Sequence, residues 1–373
     1  MKELEVIDRF RKAFPGCGIG DDAAVLPHAE GELLFAADAA IEGVHFNRRF
    51  CTLSQAVQKL VTSNVSDIFA MGGHPGSIVF TAGLPSGCSP RDVDGIIDGL
   101  VRSCTQYGVR LVGGDTVLSP HAFVFNVAIL GDVRNGRAVS RSGARPGDAI
   151  VLFGEIGASR AGLGILSTLY GGRQSRRLPL GGVPGLGEAA EGMRKMLPRL
   201  SIATSAPELA RMAAALNGLP LAEEIMRCVQ RHCVPIAIPL DASLLECEPA
   251  CVTAMIDVSD GLAKDLRTLC EESGAGAILR EEMLPMPDGI GEILGLEGGE
   301  LVDFALSSGE EYVLLAAVTS EAAERLGCGA AAKRGGTVAA VIGTIAPAGR
   351  GIVLVDGGGR TRPMPKLGYE HEF

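Results

Sequence analysis

Apolar residues at 57, 60, 61, 65, 68 and 69 recur at three- and four-residue intervals through SQAVQKLVTSNVSDIFAMGG. That is the spacing of one helix face, and Gly72-Gly73 ends the helix. A second stripe, Val93, Ile96, Ile97, Leu100 and Cys104, follows Ser89 and Pro90, an N-cap residue with proline at the first helical position. Shorter apolar runs around these helices read as strands: GELLFAAD ending at Asp38, SIVFTAGL, VRLVGGDT running into Asp115, and AFVFNVAIL.

The alternation resumes after SRSGARPGD, whose Arg-Pro-Gly marks a domain boundary. AIVLF is a strand, and a Gly-rich turn leads from it into a helix through ASRAGLGIL. TAMID runs into VSDGLAKDLRTLCEESG, a helix apolar at Leu262, Leu266, Leu269 and Cys270 with Asp260 at its start. LSSGEEYVLLAAV places a Gly-acid turn before a strand. From about 171 to 222 the chain is rich in Gly, Leu, Pro and Ala and reads as a loop or insertion. The pattern predicts an α/β (α+β) protein of two domains, 1–140 and 141–373.

A chain of 373 residues exceeds one ordinary core, which agrees with two domains. With 47% hydrophobic but only 4% aromatic residues, the interior is built from aliphatic side chains. A net charge of -10 argues against a surface that grips nucleic acid. The first residues, MKELEVIDRFRKAF, are charged throughout and no apolar run approaches membrane-spanning length, so the expected setting is cytoplasmic, with no membrane partner. Ten cysteines occur without a Cys-x-x-Cys pair, and those flanking His232 lack the usual zinc spacings.

The candidate chemistry lies in the acids Asp21, Asp22, Asp38, Asp67, Asp115, Asp257 and Asp260. Each alone reads as a cap or a solvated turn. Together, with glycines beside them at strand ends, they are expected to meet at one rim of a sheet with no lysine near them, and to repel unless cations intervene. Hard oxygen ligands of this kind suit several Mg²⁺ ions carrying a polyphosphate. Neither a G-x-x-x-x-G-K-S/T loop nor an H-R-D catalytic loop is present, so a different ATP-binding architecture is required.

In order along the chain, GIGDDAAVL, EGVHF, NVSDIFAMGG, GGDT, RSGARPGD, IDVSDGL, SSGEEYVLL and the terminal GYEHEF resemble the motifs of the thiamine-monophosphate kinases. These enzymes belong to the superfamily of aminoimidazole ribonucleotide synthetase, selenophosphate synthetase and a hydrogenase maturation protein. The resemblance implies that superfamily's two-domain fold, and a homodimer whose N-terminal strands form a shared barrel with ATP near the interface. It implies Mg²⁺ ligands at Asp22, Asp38, Asp67, Asp115, Asp257 and Asp260. Nucleotide contacts fall at Tyr107, Gly114, Asp115, Arg141 and Ser259, catalytic roles at Arg141 and Asp260, and acceptor contacts at His45, Glu310 and Tyr369.

The implied reaction moves the ATP γ-phosphoryl group to thiamine monophosphate. Taken alone, His45 reads as a satisfied strand-end histidine. Ala36 and Ala37, Glu311, Val313 and the terminal EHEF depart from the family pattern and bear on the acceptor more than on the nucleotide. The rival readings are an ATP-dependent synthetase of the same superfamily and a catalytically weak nucleotide-binding maturation protein.

Overall fold

The computed structural model describes residues 12, 21–28, 31–133, 137–170, 183–216, 218–246, 250–326, 332–334 and 337–370. The glycines at 18 and 20 of the opening motif, residues 171–182 of the expected insertion and the last three residues lie outside them.

The first half builds a five-stranded sheet from β1 (Ala24–His28), β2 (Gly31–Ile41), β3 (His74–Pro85), β4 (Arg110–Ser119) and β5 (Val124–Val133). Its order is β1-β2-β5-β3-β4, and only β3 and β4 run parallel. Alternation is strict where one face is covered. Leu34, Ala36 and Ala40 of β2 turn inward, while Phe35 and Ile41 turn outward.

Two helices cover the inner face, α1 (Leu53–Ala70) and α2 (Pro90–Tyr107). Thr52 and Gln55 form a capping box on α1, and Ser89 and Asp92 form another on α2. Val57, Val61, Val65 and Ile68 of α1 are completely buried with Ile78, Phe125, Val127 and Ile129 of the sheet. The stripe read on α2 mixes two faces: Ile96 and Leu100 are buried, whereas Val93 and Ile97 are exposed together with Val101.

Two expectations change here. The sequence pattern places Asp38 and Asp115 at strand ends, but both lie inside their strands, Asp38 opposite Val127 and Asp115 opposite Thr81. The residues that follow, Ala39 to Ile41 and Thr116 to Ser119, keep pairing, so the strands continue. The sheet being mostly antiparallel, its acids do not share one rim.

The second sheet takes β6 (Ala149–Phe153), β7 (Val252–Asp257), β8 (Ala275–Arg280), β9 (Leu314–Val318), β10 (Ala332–Arg334), β11 (Thr337–Pro347), β12 (Ile352–Val355) and β13 (Thr361–Pro363). The order is β13-β12-β8-β11-β6-β9-β7, with β10 beside β11, and neither sheet closes on itself among the described residues. Helices α3 (Ala158–Tyr170), α4 (Leu186–Met196), α5 (Ala206–Ala214), α6 (Ala222–Cys233) and α7 (Leu262–Glu272) belong to this half. No described helix is long and apolar enough to cross a membrane.

The region read as a loop contains helices where it is described, at Leu186–Met196 and Ala206–Ala214. Met193, Leu197, Leu209 and Leu216 pack with Ile165 and Leu166 of α3 and Met226 and Val229 of α6. Helices α3 and α6 touch so closely that a Cβ at Gly162 would collide with the Cys228 carbonyl.

Helix α1 joins the two halves through a stripe of buried polar side chains. The Gln55 amide donates to the carbonyls of Leu197 (2.6 Å) and Leu200 (3.0 Å), and Gln58 accepts from the Ile202 N–H at 2.7 Å. Lys59 pairs with Glu310, Thr62 donates to the Pro235 carbonyl at 3.2 Å, and Ser66 donates to Asp257 at 2.6 Å. Spaced three and four apart, these groups share one helix face, and each reaches the C-terminal half.

Candidate active site

Three acids from separate elements converge. Asp67 lies in the last turn of α1, Asp257 ends β7 and Asp22 just precedes β1, and one carboxylate oxygen from each lies within 4.8 Å of the others. Asp38 of β2 borders them, its backbone N–H donating to Asn64 Oδ1 at 3.2 Å. Burial drives the carboxyls of Asp67 and Asp257 well above the usual range. The charges of Asp38, Asp257 and Asp22 add to the effect at Asp67, and chiefly that of Asp22 at Asp257. Asp38 rises for the same first reason, opposed by a hydrogen bond with Ser63 and pushed further by Asp260 and Asp22.

One guanidinium faces this charge. Arg141 holds Asp22 with two parallel bonds, Nε to Oδ2 at 3.0 Å and Nη2 to Oδ1 at 2.8 Å, and its backbone N–H donates to Asp21 at 2.7 Å. Among the described residues, a single Arg against four carboxylates leaves an excess of negative charge in a buried place. The donor set of hard oxygens therefore fits divalent cations such as Mg²⁺.

Asp260 stands at the edge of this group, where Lys264 Nζ binds its Oδ2 at 2.7 Å. This corrects the expectation that no lysine accompanies the acids: Lys264, in the first turn of α7, follows Asp260 by four residues and reaches back to it. Asp265, which the sequence reading passed over, is buried and accepts the N–H groups of Asp260 (3.2 Å) and Gly261 (3.0 Å), shaping the turn that carries Asp260. Ser259 in that turn accepts the Glu310 N–H on its carbonyl at 2.7 Å. Tyr369 is half exposed, with its N–H on the Asp260 carbonyl and its own carbonyl on Lys264.

Other implied residues lie elsewhere. Gly114 and Asp115 occupy the exposed edge strand β4, where a Cβ at Gly114 would strike the Phe80 carbonyl. Asp38 lies in a row with Val127 and Phe80 on the inner face, while Asp115 lies in a row with Asn126 and Thr81 on the outer one. The Tyr107 hydroxyl is buried between Thr62 Oγ1 (3.0 Å) and the Ala237 N–H (3.1 Å), bracing α1 against α2. His45, half buried after β2, accepts the Ile41 N–H at its Nδ1 (3.1 Å).

Glu310 has φ +57° and Tyr312 φ +50°, left-handed values that cost a non-glycine residue of order 1–2 kcal/mol each. Glu311 between them explains how such a loop holds. Its buried carboxylate accepts from the backbone N–H groups of Gly157 (2.8 Å) and Ser159 (3.0 Å) and from Ser308 Oγ (2.6 Å), with Arg231 Nε at 3.5 Å. Val313 is buried in the core of the second sheet. Of the departures from the family pattern, Glu311 thus ties down the loop and Val313 fills the core. Lys59 was missed because a lone lysine within a helical pattern normally reads as a solvated position. Its only signal is that it adjoins Leu60 and Val61 on the buried side.

Comparison with known proteins bears on the fold and the family. Residues 20–133 match the AIR synthase related protein, N-terminal domain, and 239–356 match the AIR synthase related protein, C-terminal domain. The structure of AaThiL complexed with AMPPCP and TMP is similar, with TM-score 0.73 and 25% identity, covering 100% of this chain and 97% of that one. The thiamine-monophosphate kinase of Salmonella typhimurium is 30% identical over 80% of this chain and 74% of its own length. That of Synechococcus elongatus is 31% identical over 82% of this chain and 79% of its own length. With the motifs in order, both halves of the fold matched and identity at this level over most of its length, the chain belongs to the thiamine-monophosphate kinase family.

Proposed function

We propose that this protein transfers the γ-phosphoryl group of ATP to thiamine monophosphate in one direct, in-line step, giving thiamine diphosphate. The observation that carries the reading is the buried convergence of Asp22, Asp67 and Asp257 against a single Arg141. AaThiL, solved with AMPPCP and TMP, supports the choice of the two substrates.

Asp22, Asp38, Asp67 and Asp257 would hold Mg²⁺ ions, with Asp260 beside them. Mg²⁺ held by these acids would supply positive charge against the triphosphate and the transferring group. Arg141, fixed by Asp22, adds a positive charge that needs no reorganisation during transfer. The acceptor is a phosphate monoester with a second pKa of about 6, so its attacking oxygen is already ionised at neutral pH. No side chain has to remove a proton, and the acids serve to bring two anions together.

Asp115 and Gly114 enter through a second copy of the chain. The outer face of the first sheet exposes Phe35, Val79 and Leu130, and the edge strand β4 exposes Leu111, Val112, Val117 and Leu118. An apolar surface of this kind on a soluble sheet favours burial against a like surface. We take 1–140 as the nucleotide-binding and dimerising unit and 141–373 as the second unit. Light scattering is expected to give twice the 38.6 kDa chain mass. A monomer at micromolar concentration would remove the route by which β4 joins the site.

The decisive test incubates the protein and Mg-ATP with a panel of phosphate monoesters and identifies the products by mass. Thiamine diphosphate is the expected product. Turnover with another monoester alone would overturn the acceptor assignment, and ATP binding without any turnover would point to a maturation protein.

A further inference from the structure

The polar stripe of α1 contains one full charge, Lys59, and it lies almost completely buried at the junction of the two halves. Its Nζ is 2.5 Å from Glu310 Oε1. Burying an ammonium costs several kcal/mol and a well-packed apolar residue usually does as well for stability, so the ion pair by itself explains little. What it does explain is orientation. The Glu310 backbone is left-handed and tied by its N–H to Ser259, and Lys59 fixes the far end of the same side chain.

The two carboxylate oxygens of Glu310 are therefore unequal. Oε1 is held by Lys59, while Oε2 looks toward His232 Nδ1 at 3.5 Å, an imidazole that burial and the Lys59 charge keep neutral. Phe50 lies beside this group, its ring centroid 6.2 Å from that of His232 and 6.0 Å from that of Tyr170. With 32% of the Glu310 side chain exposed, the carboxylate that Lys59 aims is partly open to an arriving ligand. Lys59 lies eight residues before Asp67, about 12 Å along the same rigid helix. One element thus places both the metal-side acid and the group that aims the acceptor-side acid.

We propose that Lys59 is a positioning residue for acceptor binding, acting through Glu310; this rests on thiamine monophosphate being the acceptor. Steady-state kinetics on the full chain with Lys59→Gln, Lys59→Arg, Glu310→Gln and the Lys59→Gln/Glu310→Gln pair test the assignment.

Lys59→Gln is expected to raise the acceptor KM roughly tenfold, the effect of losing one charge-assisted hydrogen bond, with the ATP KM unchanged. Lys59→Arg, which keeps the charge, recovers most of that loss. The double variant matches Glu310→Gln alone within about twofold, because residues acting through one contact are not additive. A Lys59→Gln protein with the parent acceptor KM, or effects of the two singles that multiply in the double variant, overturns the inference. If Lys59→Gln does not fold, the double variant, which removes both charges, is compared with Glu310→Gln, and a further rise in acceptor KM again overturns it. A parent that does not phosphorylate thiamine monophosphate overturns the acceptor assignment and this inference with it, whereas an active parent with an unaffected Lys59→Gln overturns only the inference.

Discussion

Replacing Asp67 with Asn is expected to slow Mg-dependent turnover on the order of 10³-fold while leaving the melting temperature in metal-free buffer equal to or above that of the parent. The two effects have opposite signs for one reason. Asp67, Asp22 and Asp257 crowd their oxygens within 4.8 Å, and burial already drives Asp67 well above the usual carboxylate range. Removing its charge relieves repulsion in the empty site and takes away a ligand from the loaded one. Adding Mg²⁺ raises the parent's melting temperature and raises that of Asp67→Asn less. Calorimetry with Mg-ATP and a thermal melt in EDTA measure both quantities. A variant that turns over at the parent rate, or that melts lower without metal, would show that these acids are structural.

Arg141→Met is expected to act in the reverse direction on stability. Its guanidinium grips Asp22, whose side chain is only 1% exposed, and no other cation replaces it among the contacts described for Asp22. Leaving that carboxylate buried and unpaired costs about 3–5 kcal/mol, seen as a lower midpoint in urea. Turnover is lost as well, since the charge fixed beside the transferring group is gone. Adding Asp22→Asn to Arg141→Met removes both partners and recovers much of the stability without recovering activity. An Arg141→Met protein with the parent's urea midpoint would show that Asp22 is not held as its geometry indicates.

The acids were the most legible part of the site, and their uneven fate is instructive. Asp257 and Asp115 each follow a short apolar run, yet Asp257 ends β7 inside the cluster while Asp115 lies within an edge strand on the outer face. Nothing local separates them. Whether a strand stops or continues depends on the neighbour it pairs with, and β3 supplies partners through Ser119. Lys264 beside Asp260 was within reach of a sequence argument, since four residues on a helix make one face, whereas Arg141 beside Asp22 spans more than a hundred residues.

Helices α1, α2, α3 and α7, the Ser89 cap and the family motifs follow from the sequence alone, because periodicity and capping act over a few residues. Only the tertiary structure decided which polar groups are buried. Gln55, Gln58, Lys59, Thr62 and Ser66 look like the solvated side of an amphipathic helix until the C-terminal half packs on them. The same holds for the helical character of 186–214, where short segments gain stability from packing on α3 and α6 more than from their own propensity. Burial is a property of the partner surface, and that surface comes from residues distant in the chain.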